Sequence, residues 1–81
     1  MISCSDYDYI EIACMYRYPV KLTMKVGLLL EGIALDTARD ESNNECLKLN
    51  VKETDVLVIL DEINKLEVLV ENPHFSEVVF K

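Results

Sequence analysis

The sequence has few of the residues on which many structural and catalytic classes depend. Its 81 residues include two glycines, two prolines, one histidine and no tryptophan, and no uncharged run exceeds five residues. So few glycines and prolines exclude collagen-like and low-complexity chains. A membrane-spanning helix needs about 20 consecutive apolar residues, so no membrane association is expected. No charged segment followed by an apolar stretch opens the chain, and we therefore expect no secretion signal.

Basic residues are also scarce, with 8 lysines and arginines against 15 aspartates and glutamates and a net charge of −7. Affinity for nucleic-acid phosphates comes mainly from lysine and arginine, so this balance argues against direct nucleic-acid binding and favours a basic partner. The hydrophobic fraction of 51% excludes a disordered polar chain. The length predicts a single domain over residues 1–81.

The residues that carry catalysis or bind metals are too few and too poorly spaced for an active site. His74 is the only histidine and follows Pro73 in a predicted turn, and nothing pairs it with a cysteine. The spacings of Cys4, Cys14 and Cys46 match no zinc-ligand pair, and an odd number of cysteines predicts reduced thiols in a cytoplasm. We therefore expect no enzymatic activity, no metal, no cofactor and no small-molecule substrate.

The first 18 residues predict one helix. Ile10, Ala13 and Cys14 follow the i, i+3, i+4 spacing of a single helix face. Pro19 ends this pattern, because the residue before a proline avoids helical dihedral angles. The helix is expected at about residues 6–17, and a Cys4–Cys14 disulfide is disfavoured because such a helix separates the two residues by about 15 Å.

Two details of this helix can be predicted from its polar and aromatic residues. Ser5 is expected to cap the start of the helix, with Asp8 as its capping-box partner. Tyr9 and Tyr16 are seven residues apart on one face and are expected to pack, whereas Tyr7 is expected to be exposed.

After Pro19 the apolar residues alternate with polar ones, which indicates half-buried strands. The predicted strands are Val20–Val26, Leu28–Ala38, Cys46–Val51, Val56–Leu60, Ile63–Val70 and a short Val78–Phe80. Gly32 predicts a bend or bulge in the second strand. No helical pattern separates the strands, so an antiparallel sheet is expected. The predicted fold class is therefore α+β and mostly β, with the helix followed by a five- to six-stranded antiparallel small barrel over about residues 20–80.

The N-terminal motif supports a more specific interpretation. Residues 4–14 read CSDYDYIEIAC, and this string resembles the opening motif of the bacterial Rho-binding antiterminator (Rho-off) family. The matching positions are Cys4, Asp6, Tyr7, Asp8, Glu11, Ala13 and Cys14. Residues 22–24, 43–47 and 60–63 are similar to later parts of the family pattern, so the resemblance covers nearly the whole chain.

The resemblance implies an Sm-like barrel preceded by a helix, in a cytoplasmic protein that is not an enzyme. Members bind the transcription termination factor Rho at the basic RNA-binding face of its N-terminal domain. They keep RNA from this primary site and so inhibit Rho-dependent termination. The positions expected to contact Rho are Asp6, Tyr7, Asp8 and Glu11, with Asn43 and Glu45 as a second patch.

Two other functions remain open at this point. A barrel of this type could bind RNA directly, through a strip formed by Lys21, Lys25, Lys48 and Lys52. The position of the glycine-containing RNA-binding turn of Sm proteins, however, reads Leu-Asp-Glu at residues 60–62, which is acidic. The chain could also be an interaction module for a different basic partner, on the grounds of its charge alone.

Overall fold

A computed structural model of the chain describes residues 3–80. It contains one α-helix, six β-strands and one turn of 3₁₀-helix. The elements are α1 (Cys4–Met15), β1 (Pro19–Met24), β2 (Leu29–Arg39), β3 (Glu45–Val51), β4 (Thr54–Ile59), η1 (Leu60–Glu62), β5 (Ile63–Val68) and β6 (Glu77–Val79).

All six strands belong to one antiparallel sheet, in the order β4-β3-β2-β1-β5-β6. This arrangement confirms the predicted α+β, mostly β, antiparallel fold. The closed Sm-like barrel is not confirmed, because the sheet is open within residues 3–80. β5 pairs with β1 on one side and with β6 on the other, and so has no free edge to receive β4.

The helix begins two residues earlier than predicted. The Ser3 side-chain oxygen accepts a hydrogen bond from the backbone N–H of Asp6 at 3.2 Å, so Ser3 is the N-cap and Ser5 lies inside the first turn. The prediction of Ser5 as the cap is wrong. Both serines precede the apolar pattern at similar distances, and the outcome depends on which one adopts an extended backbone; Ser3 does, with ψ 161°.

The cap assignment predicts different effects for two similar substitutions. Ser3→Ala removes an acceptor for a helix N–H and is expected to lower the free energy of unfolding by about 1 kcal/mol. Ser5→Ala removes no cap and is expected to change it by less than about 0.5 kcal/mol. Urea denaturation of both variants measures the difference, and equal losses would show that Ser3 is not the dominant cap.

The C-terminus of α1 is closed by backbone hydrogen bonds before Pro19 is reached. Arg17 has a positive φ of 51°, its N–H donates to the Cys14 carbonyl, and the Tyr18 N–H donates to the Ala13 carbonyl at 3.0 Å. This is a Schellman motif, which turns the chain back and buries Tyr18. The helix therefore ends at Met15, two residues before the predicted end.

The buried face of the helix agrees with the sequence pattern. Ile10, Ala13 and Cys14 are its buried residues, and the helix packs against β2. They join a single core with inward-facing residues of the sheet, whose fully buried large side chains include Val20, Leu22, Leu47, Leu49, Ile63 and Leu66.

Gly32 does not mark a bulge. It lies opposite Val20 in a regular part of the β1–β2 ladder. The irregularities are a register shift between Ala34 and Asp36 in the β2–β3 ladder and another at residues 23–24. The glycine is instead required by a close approach, since a Cβ at this position would lie 2.9 Å from Leu49 Cγ and still closer to the Asn50 carbonyl oxygen.

The loop at residues 69–76 packs aromatic side chains against α1. Its conformation is held by Asn72, whose side-chain oxygen accepts hydrogen bonds from the N–H groups of His74 (2.8 Å) and Phe75 (3.0 Å). The Phe75 ring lies 4.9 Å from Tyr9, and the His74 ring stacks at 4.8 Å on Tyr16. These contacts give His74 a role in packing.

Tyr9 and Tyr16 pack against aromatic rings as predicted, but the predicted order of exposure is wrong. Tyr7 is half-buried against the core, whereas Tyr9 and Tyr16 are 37% and 51% exposed. The helix turns its Tyr7 side toward the body of the protein. Tyr9 is covered by Phe75 of the loop, and Tyr16 lies between His74 of the loop and Tyr18, whose ring is 5.5 Å away.

Candidate functional site

The first two turns of α1 present an acidic surface, called here the acidic front and formed by Asp6, Tyr7, Asp8 and Glu11. Asp8 and Glu11 are exposed, while Asp6 and Tyr7 are half-buried. The backbone of Asp6 takes part in the helix cap, and carboxylates in this turn are stabilised by the positive end of the helix dipole. The front therefore holds negative charge where a partner can reach it.

Tyr7 connects this front to the sheet. Its body packs on the core cluster, and the residue also lines two shallow surface depressions. One depression is formed with Cys4, Asp8 and Glu45, and the other lies over the end of β2. A tyrosine held in this way offers an aromatic edge and a hydroxyl group without having to be ordered on binding.

The loop between β2 and β3, residues 40–44, is organised by Asp40. Its Oδ1 accepts hydrogen bonds from the backbone N–H groups of Ser42 and Asn44, both at 2.9 Å, and its Oδ2 accepts one from Asn44 Nδ2 at 3.1 Å. The hydrogen bonds from Asn44 are the main reason that the pKa of Asp40 lies below its usual value. Asn43 occupies the left-handed position of this turn, with φ 65°.

Glu45 follows this loop as the first residue of β3 and forms an ion pair with Arg39. Arg39 Nη2 lies 3.8 Å from Glu45 Oε1, and Arg39 Nη1 donates to the Asn43 carbonyl at 3.0 Å. Both charged side chains are at least half exposed. An exposed ion pair of this kind contributes little to the stability of the fold. Glu45 can therefore leave Arg39 and pair with a cation of a partner protein, and the fold loses little stability.

The fold brings the two predicted patches side by side. Tyr7 and Asp8 from α1 share a depression with Glu45 from β3, and Glu45 shares the next depression with Asn43. Glu11 lies one helical turn further on, in a depression that also contains Asp36. Five of the six predicted residues, all except Asp6, thus line neighbouring depressions that run from the helix onto the loop. Arg17 and Arg39 line the same depressions, so the surface is mostly but not entirely acidic.

Of the four lysines of the alternative RNA-binding prediction, only Lys21 and Lys48 lie in strands. Lys21 in β1 lies between Glu31 and Glu67 on the neighbouring strands, and Lys48 in β3 lies opposite Asp36. Lys25 and Lys52 lie outside the strands: Lys25 directly follows β1, and Lys52 lies in the turn between β3 and β4. Lys21 and Lys48 therefore each lie opposite a carboxylate on an adjacent strand, which reduces their attraction for phosphate.

Comparison with known protein families gives a match that covers almost the entire chain. A family model described as "Modulator of Rho-dependent transcription termination (ROF)" matches residues 1–80. The chain belongs to the ROF family. The resemblance seen in the N-terminal motif is thereby confirmed, together with a role in transcription regulation.

A solved structure of another ROF protein supports this assignment. The chain is similar to YaeO from Vibrio cholerae O395, whose structure was solved with that protein bound to magnesium. The two share 47% sequence identity over 93% of this chain and 97% of that chain, with a TM-score of 0.89. No curated protein sequence matches at a significant level.

For this ROF chain, two further structural findings concern metals and membranes. Within residues 3–80, no group of three or more histidine, cysteine, aspartate or glutamate residues is placed to hold a metal ion. Over the same range, no helix has the length and apolar character needed to cross a bilayer.

Sequence reasoning missed two residues that shape this ROF surface. Asp40 builds the loop that places Asn43, and Arg39 holds that loop to Glu45. An aspartate at the start of a polar run, here Asp-Glu-Ser-Asn-Asn at residues 40–44, is a typical signal for a turn held by a side-chain oxygen, so Asp40 could have been identified. The Arg39 contacts have no comparable signal.

The three thiols of this ROF protein are free and differ in burial. Cys4 is exposed at the start of α1, next to Tyr7 and Asp8, whereas Cys14 and Cys46 are buried. Burial raises the pKa of the Cys14 thiol to about 11, with a smaller contribution from the carboxylate of Asp36. Burial also raises the pKa of Cys46.

Alkaline pH is expected to destabilise the fold through Cys14. Its pKa is raised on folding, so its contribution to stability is complete below its ordinary pKa of 9.0 and is lost as the pH rises through about 11. The free energy of unfolding from urea titrations should fall between these pH values. The fall should be smaller in Cys14→Ala and unchanged in the exposed control Cys4→Ala; an unchanged slope in Cys14→Ala would contradict the prediction.

Proposed function

We propose that this ROF protein binds Rho at the basic RNA-binding face of its N-terminal domain and keeps RNA from the primary site. Rho-dependent termination is then inhibited by competition. In this proposal the chain acts in the cytoplasm as one domain, by binding alone, without catalysis, cofactor or direct contact with nucleic acid. Membership of a family of modulators of Rho-dependent termination supports Rho as the partner.

The observation that carries the proposal is the joined acidic surface of the helix and the loop. Asp8 and Glu11 are exposed, and Glu45 lines the same depression as Tyr7 and Asp8. A groove built for RNA offers cations for phosphates and flat surfaces for bases. Carboxylates spaced along a surface that includes a tyrosine present complementary charge to such a groove.

The charge of the whole protein supports competition with RNA. A net charge of −7 attracts the protein to a cationic groove and repels it from RNA itself. The carboxylates opposite Lys21 and Lys48 act in the same direction.

Competition and footprinting together test the proposal. Fluorescence anisotropy of a labelled RNA on Rho should fall as the protein is added, and more salt should weaken the effect. In parallel, Rho should slow the alkylation of Cys4, since this exposed thiol shares the depression of Tyr7, Asp8 and Glu45. Mass spectrometry measures the labelled fraction.

The outcomes separate the proposed site from other forms of binding. RNA release together with protection of Cys4 supports both the partner and the surface. RNA that stays on Rho in the presence of excess protein contradicts the mechanism. Release without protection of Cys4 places the contact away from the acidic front. Retention of labelled RNA by the protein alone at low salt would favour the direct RNA-binding function instead.

A further inference from the structure

The outer edge of β4 is a second surface with a defined geometry. β4 (Thr54–Ile59) pairs with β3 over six consecutive residues without a register shift. Its other edge has no strand partner in the part of the chain that the structure describes. Backbone N–H and C=O groups alternate along such an edge and form a template for another strand.

This edge lacks the features that usually prevent strand addition. β4 contains no proline and no lysine, and its ladder with β3 has no bulge. Its centre is Val-Leu-Val, and Leu57 is 45% exposed on the outer face. The opposite edge of the sheet is β6, which has only three residues and is therefore blunted by its length. The sheet is thus protected at one edge and open at the other.

The charges around β4 select between possible occupants. Glu53 and Asp55 lie at its start, and Asp61 and Glu62 follow its end; all four are exposed, and Asp55 also accepts a hydrogen bond from Asn50 Nδ2 at 2.8 Å. Two lysines, Lys52 before β4 and Lys48 opposite Leu57, offset part of this charge and leave the surroundings of β4 acidic on balance. Two copies of the chain paired through β4 would bring together two such sets, each on a protein of charge −7. A basic strand would instead meet opposite charge at both ends, and cross-strand charge pairs of opposite sign are favourable.

We propose that the β4 edge binds an extended basic peptide segment of a partner protein as an added strand. Backbone hydrogen bonds would supply most of the affinity, and the acidic ends with Leu57 would supply the selectivity. The proposal does not depend on Rho as the partner. A segment that continues past Ile59 would reach the depression lined by Leu60, Asn43 and Glu45, which borders the acidic front.

Two matched peptides test this site on the full-length, isotope-labelled protein. The basic probe is Lys-Thr-Val-Thr-Val-Lys with blocked ends, and the control replaces both lysines by glutamates. NMR spectra should show that the basic probe shifts the amide signals of residues 54–59 and slows their hydrogen exchange, while the acidic probe at the same concentration does not. Added salt should weaken the binding.

Two leucine-to-lysine substitutions, one in β4 and one outside it, provide a second test of the site. Leu57→Lys replaces an apolar contact with a positive charge that repels the lysines of the basic probe. The dissociation constant of that probe should therefore rise about fivefold. Leu69→Lys changes a similarly exposed leucine (49%) outside β4, and should leave the dissociation constant unchanged.

Three results would overturn the proposal. Signal changes confined to residues 6–11 would mean that the basic probe binds only the acidic front. Equal effects of both probes would show that charge does not select the occupant. Protection of residues 54–59 that rises with protein concentration in the absence of peptide would assign the edge to a second copy of this chain.

Discussion

An Asp8→Lys variant is expected to bind Rho at least about tenfold more weakly than the wild-type protein, and to release RNA from Rho correspondingly less well. Asp8 is exposed and lines the depression that joins α1 to Glu45. A lysine there would place a cation within the acidic surface, opposite the cations proposed for the partner. The loss should appear in anisotropy competition and in direct binding measurements.

A matched charge reversal separates this contact from the effect of net charge. Glu77→Lys changes the charge by the same amount at an exposed position in β6, outside the acidic front and the loop at residues 40–44. It is expected to weaken Rho binding only slightly, through the general attraction, which salt screens. Equal losses in the two variants would show that overall charge, and not the acidic front, governs binding. No loss in Asp8→Lys would place the Rho contact elsewhere.

The other positions of the acidic front require different substitutions. Tyr7 packs on the core, so Tyr7→Ala would combine a lost contact with a lost part of the packing. Tyr7→Phe removes only the hydroxyl group and is the better probe. Asp6 takes part in the N-cap through its backbone N–H, and a substitution there also changes charge in the first turn. Thermal unfolding of each variant separates folding from binding.

The sequence was informative wherever local periodicity decides the structure. The spacing of Ile10, Ala13 and Cys14 predicted the buried helix face, because a helix that packs on a sheet must turn its apolar stripe inward. The alternation after Pro19 predicted the strands to within a few residues. The short connections predicted an antiparallel sheet.

The sequence was uninformative where residues distant in the chain decide the structure. Tyr9 and Tyr16 are covered by Phe75 and His74, which come from a loop near the other end of the chain. No pattern within the helix encodes those contacts. The open sheet has a similar origin, since β6 pairs with β5 and takes the edge that closure would require.

The candidate site shows the same division. The residues of the acidic front were chosen by resemblance to a motif that is continuous in the chain. That Glu45 lies beside Asp8 follows from the packing of α1 against β2 and from the pairing of β2 with β3, which only the fold reveals. Arg39 and Asp40 act through contacts within the loop, and the motif does not include them.

The other large effect is expected for folding. A Gly32→Ala variant should lose about 2–3 kcal/mol of its free energy of unfolding. The added Cβ would lie 2.9 Å from Leu49 Cγ and closer still to the backbone oxygen of Asn50, and neither atom belongs to the far end of a flexible side chain. The Asn50 oxygen is part of β3, so relief of the contact requires β2 and β3 to move apart. Because α1 packs on β2, the acidic front would move with it.

Gly27 is the matched control, because glycine is required there by the backbone conformation and not by a close neighbour. It adopts φ 91° in the turn between β1 and β2, and a Cβ there would meet no atom within 4 Å. Gly27→Ala should therefore cost about 1 kcal/mol, from backbone strain alone. Urea unfolding of the two variants compares strain with steric conflict. If Gly27→Ala costs as much as Gly32→Ala, the close approach of β2 and β3 at Gly32 does not constrain the sheet.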